Sequence, residues 1–103
     1  MSSATEAAAR RDALAERLFD AVLGLVDVHM VHVGDRLGLY LELAKGPASP
    51  AELARRAGVD ERYAREWLEQ QAMSGLLDVD DPGDGPEGRR FRMPPGHEEV
   101  LVD

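Results

Sequence analysis

The hydrophobic and polar positions at the start of the chain predict one long helix with an unusual surface. Ser3 and Glu6 fit a capping box, so the helix is expected to begin near Ala4. Its first turns are polar, but residues 18–33, LFDAVLGLVDVHMVHV, are apolar nearly all round the helix. One side carries Leu14, Leu18, Val22, Leu25 and His32. The opposite side carries Phe19, Leu23, Val26, Met30 and Val33.

A surface helix normally keeps a polar stripe, and a chain of 103 residues has little other core with which to cover both sides of this one. We therefore expect the helix to be buried against a second subunit in a homodimer. The predicted dimer interface consists of Leu18, Phe19, Val22, Leu23, Leu25, Val26 and Met30.

The middle of the chain predicts three further helices. DRLGLYLELAKG (residues 35–46) has apolar residues at helical spacing and Gly46 as its stop. SPAE, from Ser49, is a capping box with proline at the first helical position, and the short helix that follows ends at Gly58. Asp60 caps a longer helix that Gly75 closes. The residues at helical spacing in the second helix are Leu37, Tyr40, Leu41 and Ala44, and the expected buried stripe of the longer helix is Tyr63, Ala64, Trp67, Leu68 and Ala72.

The segment DPGDGPEG (residues 81–88) contains a literal G-x-G-x-x-G, the pattern of a dinucleotide-binding turn. Such a turn requires a strand before it and a helix after it. Here RRFRMPP follows, which is a short strand ended by prolines, and Asp81, Asp84 and Glu87 would repel an anionic ligand. The glycines are therefore predicted to turn a hairpin between the strands LLDV and RRFRM. Helix, glycine turn, longer helix and hairpin together predict a mainly α fold, a winged helix-turn-helix with a small β-hairpin wing and a long apolar N-terminal helix.

Composition and charge limit the kinds of site and partner that the chain can have. The chain has no cysteine, which excludes disulfides and thiolate metal sites, and it lacks the apolar core of a signal peptide and any membrane-spanning run, so a cytoplasmic location without membrane contact is expected. The net charge of −8 disfavours nucleic acid as a partner. On the recognition helix, Asp60, Glu61, Glu66 and Glu69 outnumber Arg62 and Arg65. On the wing, Asp78, Asp80, Asp81, Asp84 and Glu87 outnumber Arg89, Arg90 and Arg92.

Other residue groups point only weakly to chemistry. His29, His32 and Asp35 have the spacing of a metal site, yet zinc needs at least three converging ligands, so no metal ligand is assigned. Tyr63 and Trp67 are better explained as core than as a ligand box. His29, Met30 and His32 are candidates for lining a small-molecule pocket at a subunit boundary. No catalytic or cofactor-binding residue is assigned.

The segments HMVHVGDRLGLY, PAELARRAGVDERYAREWLEQQ and RFRMPPGHEEVL resemble the N-terminal winged-helix domain of bacterial class I S-adenosylmethionine-dependent methyltransferases. That domain is similar to the N-terminal domain of plant and polyketide O-methyltransferases, and the resemblance covers roughly residues 14–103. It implies a domain that mediates dimerisation and helps to cover a small-molecule substrate. It also implies that S-adenosylmethionine binds a separate domain, because the donor-binding strand, glycine loop and acidic ribose-binding residue are absent from this sequence.

The sequence is thus interpreted as the dimerisation and substrate-lid part of a methyltransferase, not catalytic by itself. A free-standing winged-helix transcriptional regulator and a purely structural dimerisation domain remain alternatives. The expected organisation is a polar start of helix 1 (residues 1–13), dimerisation helices (14–46), a winged-helix unit (47–96) and the start of a linker helix to a missing C-terminal domain (97–103).

Overall fold

A computed structural model of the chain describes residues 3–83, 85 and 88–102. Within these residues the fold is mainly helical, with one antiparallel two-stranded sheet, and it confirms the predicted winged helix-turn-helix. The elements in order are α1 (Ser3–Arg36), α2 (Leu39–Ala44), α3 (Pro50–Ala57), α4 (Glu61–Met73), β1 (Asp78–Asp80), β2 (Arg90–Arg92) and α5 (Glu98–Leu101).

The starts of α3 and α4 follow the local signals in the sequence. The Ser49 hydroxyl accepts from the Glu52 backbone amide at 3.2 Å, and the Glu52 carboxylate accepts from the Ser49 amide at 3.1 Å, which completes the capping box. Gly58, with a φ of 71°, ends α3 in the left-handed conformation that favours glycine. One carboxylate oxygen of Asp60 then accepts from two backbone amides in the first turn of α4. This helix pair is the predicted helix-turn-helix.

The glycine-rich segment lies in a hairpin, as predicted. Val79 of β1 pairs with Phe91 of β2, and the two strands run antiparallel. Gly83 and Gly85 have positive φ angles of 86° and 91°, as a tight turn requires. The predicted acidic positions Asp84 and Glu87, together with Pro86, lie outside the described residues. A third segment joins the wing, because Ala48 and Phe91 exchange two backbone hydrogen bonds of 2.8 and 3.0 Å.

The second helix is shorter than the segment predicted from the sequence. Helix α1 continues to Arg36, a turn follows in which Gly38 has a φ of 72°, and α2 begins only at Leu39. Leu37 therefore lies in the turn, 41% exposed, and Leu41 is 58% exposed. The residues buried from α2 are Leu39, Tyr40 and Leu43, of which Tyr40 belongs to the set at helical spacing in the sequence.

In α4 the predicted inward stripe is correct at its centre. Ala64, Trp67 and Leu68 are fully buried, whereas Tyr63, also assigned to the stripe, is 53% exposed. The stripe instead includes Gln71, which is buried because the Tyr40 hydroxyl donates a hydrogen bond to its side-chain oxygen. Burial raises the pKa of Tyr40 above its ordinary value, so this hydroxyl stays a donor. The buried hydrophobic cluster comprises Leu39, Tyr40, Leu43, Ala48, Leu53, Ala54, Ala64, Trp67, Leu68, Leu77 and Phe91.

Helix α1 extends far beyond this core. Its 34 residues correspond to about 51 Å of helix, and the longest dimension of the molecule is 59 Å. The Cα radius of gyration is 18.0 Å, whereas a compact chain of this length has about 13 Å. We call residues 3–26 the arm and the part from α2 to α5 the body. The remainder of α1, residues 27–36, is the anchored end, which packs on the body.

Candidate functional site

The arm presents a long hydrophobic surface to solvent. Every residue from position 9 to 26 is exposed. Leu25 is 68% exposed and Phe19 is 63% exposed, although both side chains are large and apolar. We name as the arm surface these apolar residues of the arm together with the exposed Val28 at the start of the anchored end: Leu14, Leu18, Phe19, Val22, Leu23, Leu25, Val26 and Val28. From its first residue to its last it runs for about 21 Å along the helix.

The arm surface lies mainly on the side of α1 turned away from the body. Asp27 marks the side that faces the body, since its carboxylate accepts hydrogen bonds from α4. With 3.6 residues per turn, Glu16 and Asp20 lie on the same side as Asp27, whereas Leu18 and Leu25 lie on the other. Soluble monomers rarely expose contiguous apolar patches of this kind, so such a surface marks an interaction site.

Six of the seven residues predicted for the dimer interface belong to this surface, and Met30 differs. The Met30 side chain is half-buried against the core cluster, and its backbone carbonyl accepts a hydrogen bond of 2.9 Å from the Trp67 indole. The dimer contact itself stays a prediction, because a single chain does not test it.

The three residues proposed to line a substrate pocket are not on one side of the helix. His29 and His32 are exposed, while Met30 faces the core. The two imidazoles lie one turn apart next to the arm surface. A pocket that included both histidines would need a further wall from outside the described residues. The role of these residues as a lid stays a prediction.

The anchored end of α1 meets α4 through three contacts that sequence reasoning did not identify. Gly34 is buried, and a Cβ placed there would lie 2.5 Å from the Trp67 ring and 2.6 Å from the Tyr40 ring. The two rings themselves meet edge to face, with centroids 5.1 Å apart. One turn earlier the Trp67 indole bonds to Met30, and one turn earlier again Asp27 accepts from Gln70 and Ser74 at 2.9 and 2.6 Å. In the sequence these contacts are marked only by a glycine, Gly34, and by a single carboxylate, Asp27, within an apolar run.

The wing arginines, the candidate nucleic-acid contacts, are all paired with carboxylates of the same chain. Arg89 lies 2.9 Å from Glu69 on α4 and 3.2 Å from Asp81. Arg92 lies 2.7 Å from Asp80, and the hydrogen bond to Asp80 raises the pKa of the Arg92 guanidinium.

Arg90, on the other side of the wing, is also paired with a carboxylate of the same chain. Its guanidinium lies 3.4 Å from the Glu52 carboxylate and donates to the Pro47 carbonyl at 3.2 Å. On the recognition helix, Arg62 pairs with Glu66 at 3.3 Å. The paired carboxylates offset the positive charge that these arginines would offer to a phosphate group. This arrangement does not favour DNA binding.

The structure gives no support to the other residue groups. Among the residues it describes, no three His, Asp or Glu side chains converge as metal ligands. Trp67 is buried whereas Tyr63 is exposed, so the two do not form a ligand box. Among the described residues, the next element after the wing glycines is β2, so the structure shows there no helix N-terminus of the kind that a dinucleotide or S-adenosylmethionine site of this type requires. In the described part of the chain, no helix combines the length and apolar content needed to cross a bilayer.

A family model for the Rv2258c-like winged HTH domain matches residues 21–102 of this chain. The fold also matches the crystal structure of N,N-8-amino-8-demethyl-D-riboflavin dimethyltransferase (RosA) from Streptomyces davawensis, with a TM-score of 0.65 and 28% identity over 79% of this chain and 22% of that one. The mitomycin 7-O-methyltransferase MmcR matches with a TM-score of 0.68 and 28% identity over 85% of this chain and 24% of that one. The chain therefore spans about a quarter of the length of these methyltransferases.

A transcriptional regulator shares the fold as well. The regulator BldR from Sulfolobus solfataricus matches with a TM-score of 0.52 and 14% identity, over 99% of this chain and 76% of that one. At this identity the likeness concerns the fold alone. No curated protein sequence matches the chain significantly.

Proposed function

The chain belongs to the Rv2258c-like winged HTH family, and from this premise we propose that it is the N-terminal dimerisation and substrate-lid domain of an S-adenosylmethionine-dependent methyltransferase. The observation that carries the proposal is the arm surface, whose residues are between 43% and 68% exposed although they are large and apolar. The 28% identity to two methyltransferases that are named for small-molecule substrates supports the enzyme class.

In this proposal the arms of two chains pack together through their apolar surfaces. Burying one such side chain stabilises the pair by about 1.5–3 kcal/mol. Several of them together exceed the cost of bringing two chains together, which is of the order of 4–15 kcal/mol. The body has its own closed core around Trp67 and Phe91, so each chain folds around that core and the arms add the association.

The domain acts on the substrate only as a cover. His29 and His32, exposed beside the arm surface, contribute polar groups to the wall of the substrate site, and the methyl donor binds a separate domain. The chain by itself is therefore not catalytic. Calorimetry with S-adenosylmethionine is expected to show no one-to-one micromolar binding, since the described chain offers no strand, glycine loop and helix in sequence.

Analytical ultracentrifugation over a dilution series tests the association. The wild-type chain is expected to sediment as a dimer at micromolar concentration, and Leu25→Asp as a monomer that keeps its helical circular dichroism. Leu25 is 68% exposed in the single chain, so the new charge harms the interface and not the body. The matched control is Ala13→Asp, which adds the same charge to the exposed polar side of the same helix. A wild-type monomer at these concentrations would refute the proposal.

The second candidate is a winged-helix transcriptional regulator, which is favoured by the extent of the fold match to BldR. The paired wing arginines and the acidic start of α4 argue against it. A gel-shift assay at physiological salt separates the two functions. Salt-sensitive nanomolar binding to a defined duplex would make the regulator the better explanation, and weak binding without sequence preference supports the methyltransferase domain.

A further inference from the structure

The direction in which the arm leaves the body is fixed by contacts over a short stretch of α1. The contacts of the anchored end run from Gly34 through Met30 to Asp27, a distance of about 10 Å along the helix. The arm beyond them is 24 residues, or about 36 Å, long. A tilt of about 10° at the anchored end would move the tip of the arm by about 6 Å, more than half the diameter of a helix.

Asp27 is the outermost of these three contacts. It precedes Met30, the first residue of α1 that packs against the core cluster. The same oxygen, Oδ1, accepts from the Gln70 amide at 2.9 Å and from the Ser74 hydroxyl at 2.6 Å. Hydrogen bonds to a charged acceptor are stronger than those between neutral groups. Without Asp27, the described contacts of the anchored end would cover only about 6 Å of helix, from Gly34 to Met30.

The two donors are themselves fixed by the body. Gln70 also bonds to Ser74 at 3.1 Å, and its side-chain oxygen accepts from Gln71 at 2.8 Å. Gln71 is fully buried and in turn accepts from the Tyr40 hydroxyl. The carboxylate on α1 is thus connected through one chain of hydrogen bonds to the core of the body, which gives it a defined position.

We propose that Asp27 is a positioning residue: by binding Gln70 and Ser74 it fixes the direction in which the arm leaves the body, and it thereby sets the geometry in which two arm surfaces meet. The statement about direction concerns a single chain. The statement about pairing rests on the proposed function. A carboxylate in the middle of an apolar run, which reduces the hydrophobic surface, is explained by this role.

Distances measured between spin labels test the direction of the arm. The chain has no cysteine, so Ala9→Cys on the arm and Glu61→Cys at the start of α4 provide two unique labelling sites, both exposed. Labelled protein is diluted into an excess of unlabelled chain, so that only distances within one chain are observed. A narrow distribution is expected for the parent. Asp27→Ala is expected to broaden it by about 5 Å, because Ala9 lies about 27 Å along the helix from Asp27 and a tilt of about 10° displaces it by that amount.

Two matched variants separate positioning from a general effect on stability. Asp27→Asn keeps an oxygen that accepts hydrogen bonds, so this variant is expected to show the same narrow distance distribution as the parent. Asp20→Ala removes an exposed carboxylate from the same side of α1, two turns earlier, and is expected to leave the distribution unchanged. In sedimentation, Asp27→Ala is expected to weaken the dimer about tenfold, the equivalent of one lost hydrogen bond to a charged group, and Asp20→Ala to leave it unchanged.

The outcomes for the two proposals are distinguishable. If the chain is a dimer but Asp27→Ala keeps the parent distance distribution, the inference about Asp27 is wrong and the proposed function stands. If the chain is a monomer and Asp27→Ala still broadens the distribution, the direction is set by Asp27 and the proposed pairing is wrong. If Asp20→Ala broadens the distribution as much as Asp27→Ala, the effect is not specific to the contact with α4 and the inference fails.

Discussion

The body and the arm contain similar hydrophobic residues but place them in opposite environments. In the body, Leu39, Trp67 and Phe91 are at most 1% exposed and are enclosed by the helices of the body, the hairpin and the anchored end of α1. In the arm, Leu18, Phe19 and Leu25 are all more than half exposed. Hydrophobic content alone therefore does not determine burial within one chain. The body and the anchored end of α1 share one buried core, and the arm surface is suited to contact with another chain.

The largest contrast is expected from removing one aromatic side chain in each region. Trp67→Ala should lower the free energy of unfolding by about 3–5 kcal/mol, because it leaves a cavity beside Tyr40 and removes the bond to Met30. Phe19→Ala is the matched variant on the arm, where the ring is 63% exposed, and should change the stability of the dissociated chain by less than about 0.5 kcal/mol.

Urea titrations followed by circular dichroism, at concentrations below the dissociation constant of any dimer, measure both values. Equal destabilisation by the two substitutions would mean that Phe19 belongs to the folded core of the single chain. The contrast between body and arm would then be wrong.

A second contrast concerns two glycines of α1, one in the arm and one in the anchored end. Gly34→Ala brings a methyl group within 2.6 Å of the Trp67 and Tyr40 rings, so the rings must shift, at a cost of about 1–3 kcal/mol. Gly24→Ala meets no atom within 4 Å and should stabilise the helix by about 0.5–1 kcal/mol. The same substitution is thus expected to have opposite signs ten residues apart.

Thermal unfolding of the two variants, compared with the parent, gives the sign of each change. Stabilisation by Gly34→Ala would show that the approach of α1 to the two rings is looser than the distances indicate. Destabilisation by Gly24→Ala would show that the backbone of the arm is in close contact with something, which would place a second copy of the chain at that point.

Features that depend on residues close together in the chain could be predicted from the sequence, and features that depend on distant residues could not. The capping box at Ser49, the cap at Asp60 and the hairpin glycines were predictable because each depends on residues within a few positions of one another. Gly24 and Gly34 have no such local difference, and only the position of Tyr40 and Trp67 separates their roles.

The polar contacts of the body required the three-dimensional structure. Gln71 was not predicted to be buried, because its partner Tyr40 lies 31 residues away in the chain. Tyr63 was wrongly assigned to the buried stripe, because apolar spacing does not tell how far a first-turn residue lies from the next element. For the candidate site, six of the eight residues of the arm surface are among those that the sequence predicts for a dimer interface, and the interface itself stays a prediction. The contact of Asp27 with α4 was not predicted, since a helical pattern does not reveal which single carboxylate meets a donor.

The smallest expected effect is a pH dependence that belongs to the body and not to the arm. The Ser49 backbone amide, which donates to the Glu52 carboxylate, is the main cause that holds the pKa of Glu52 below its ordinary value, and Arg90 and Arg56 act in the same direction. Because the pKa is lower in the folded chain, Glu52 contributes stability above its unfolded pKa, and this contribution is lost as the pH falls through the folded pKa.

Below about pH 4.5 the free energy of unfolding should therefore fall more steeply in the parent than in Glu52→Gln, which cannot titrate. Glu16→Gln, which removes an exposed carboxylate from the arm, is the charge-matched control. Urea titrations at several pH values between about 3 and 7 measure these slopes. An identical slope for Glu52→Gln and the parent would mean that the capping box and the wing arginine contribute nothing that depends on charge, and that acid sensitivity does not distinguish the body from the arm.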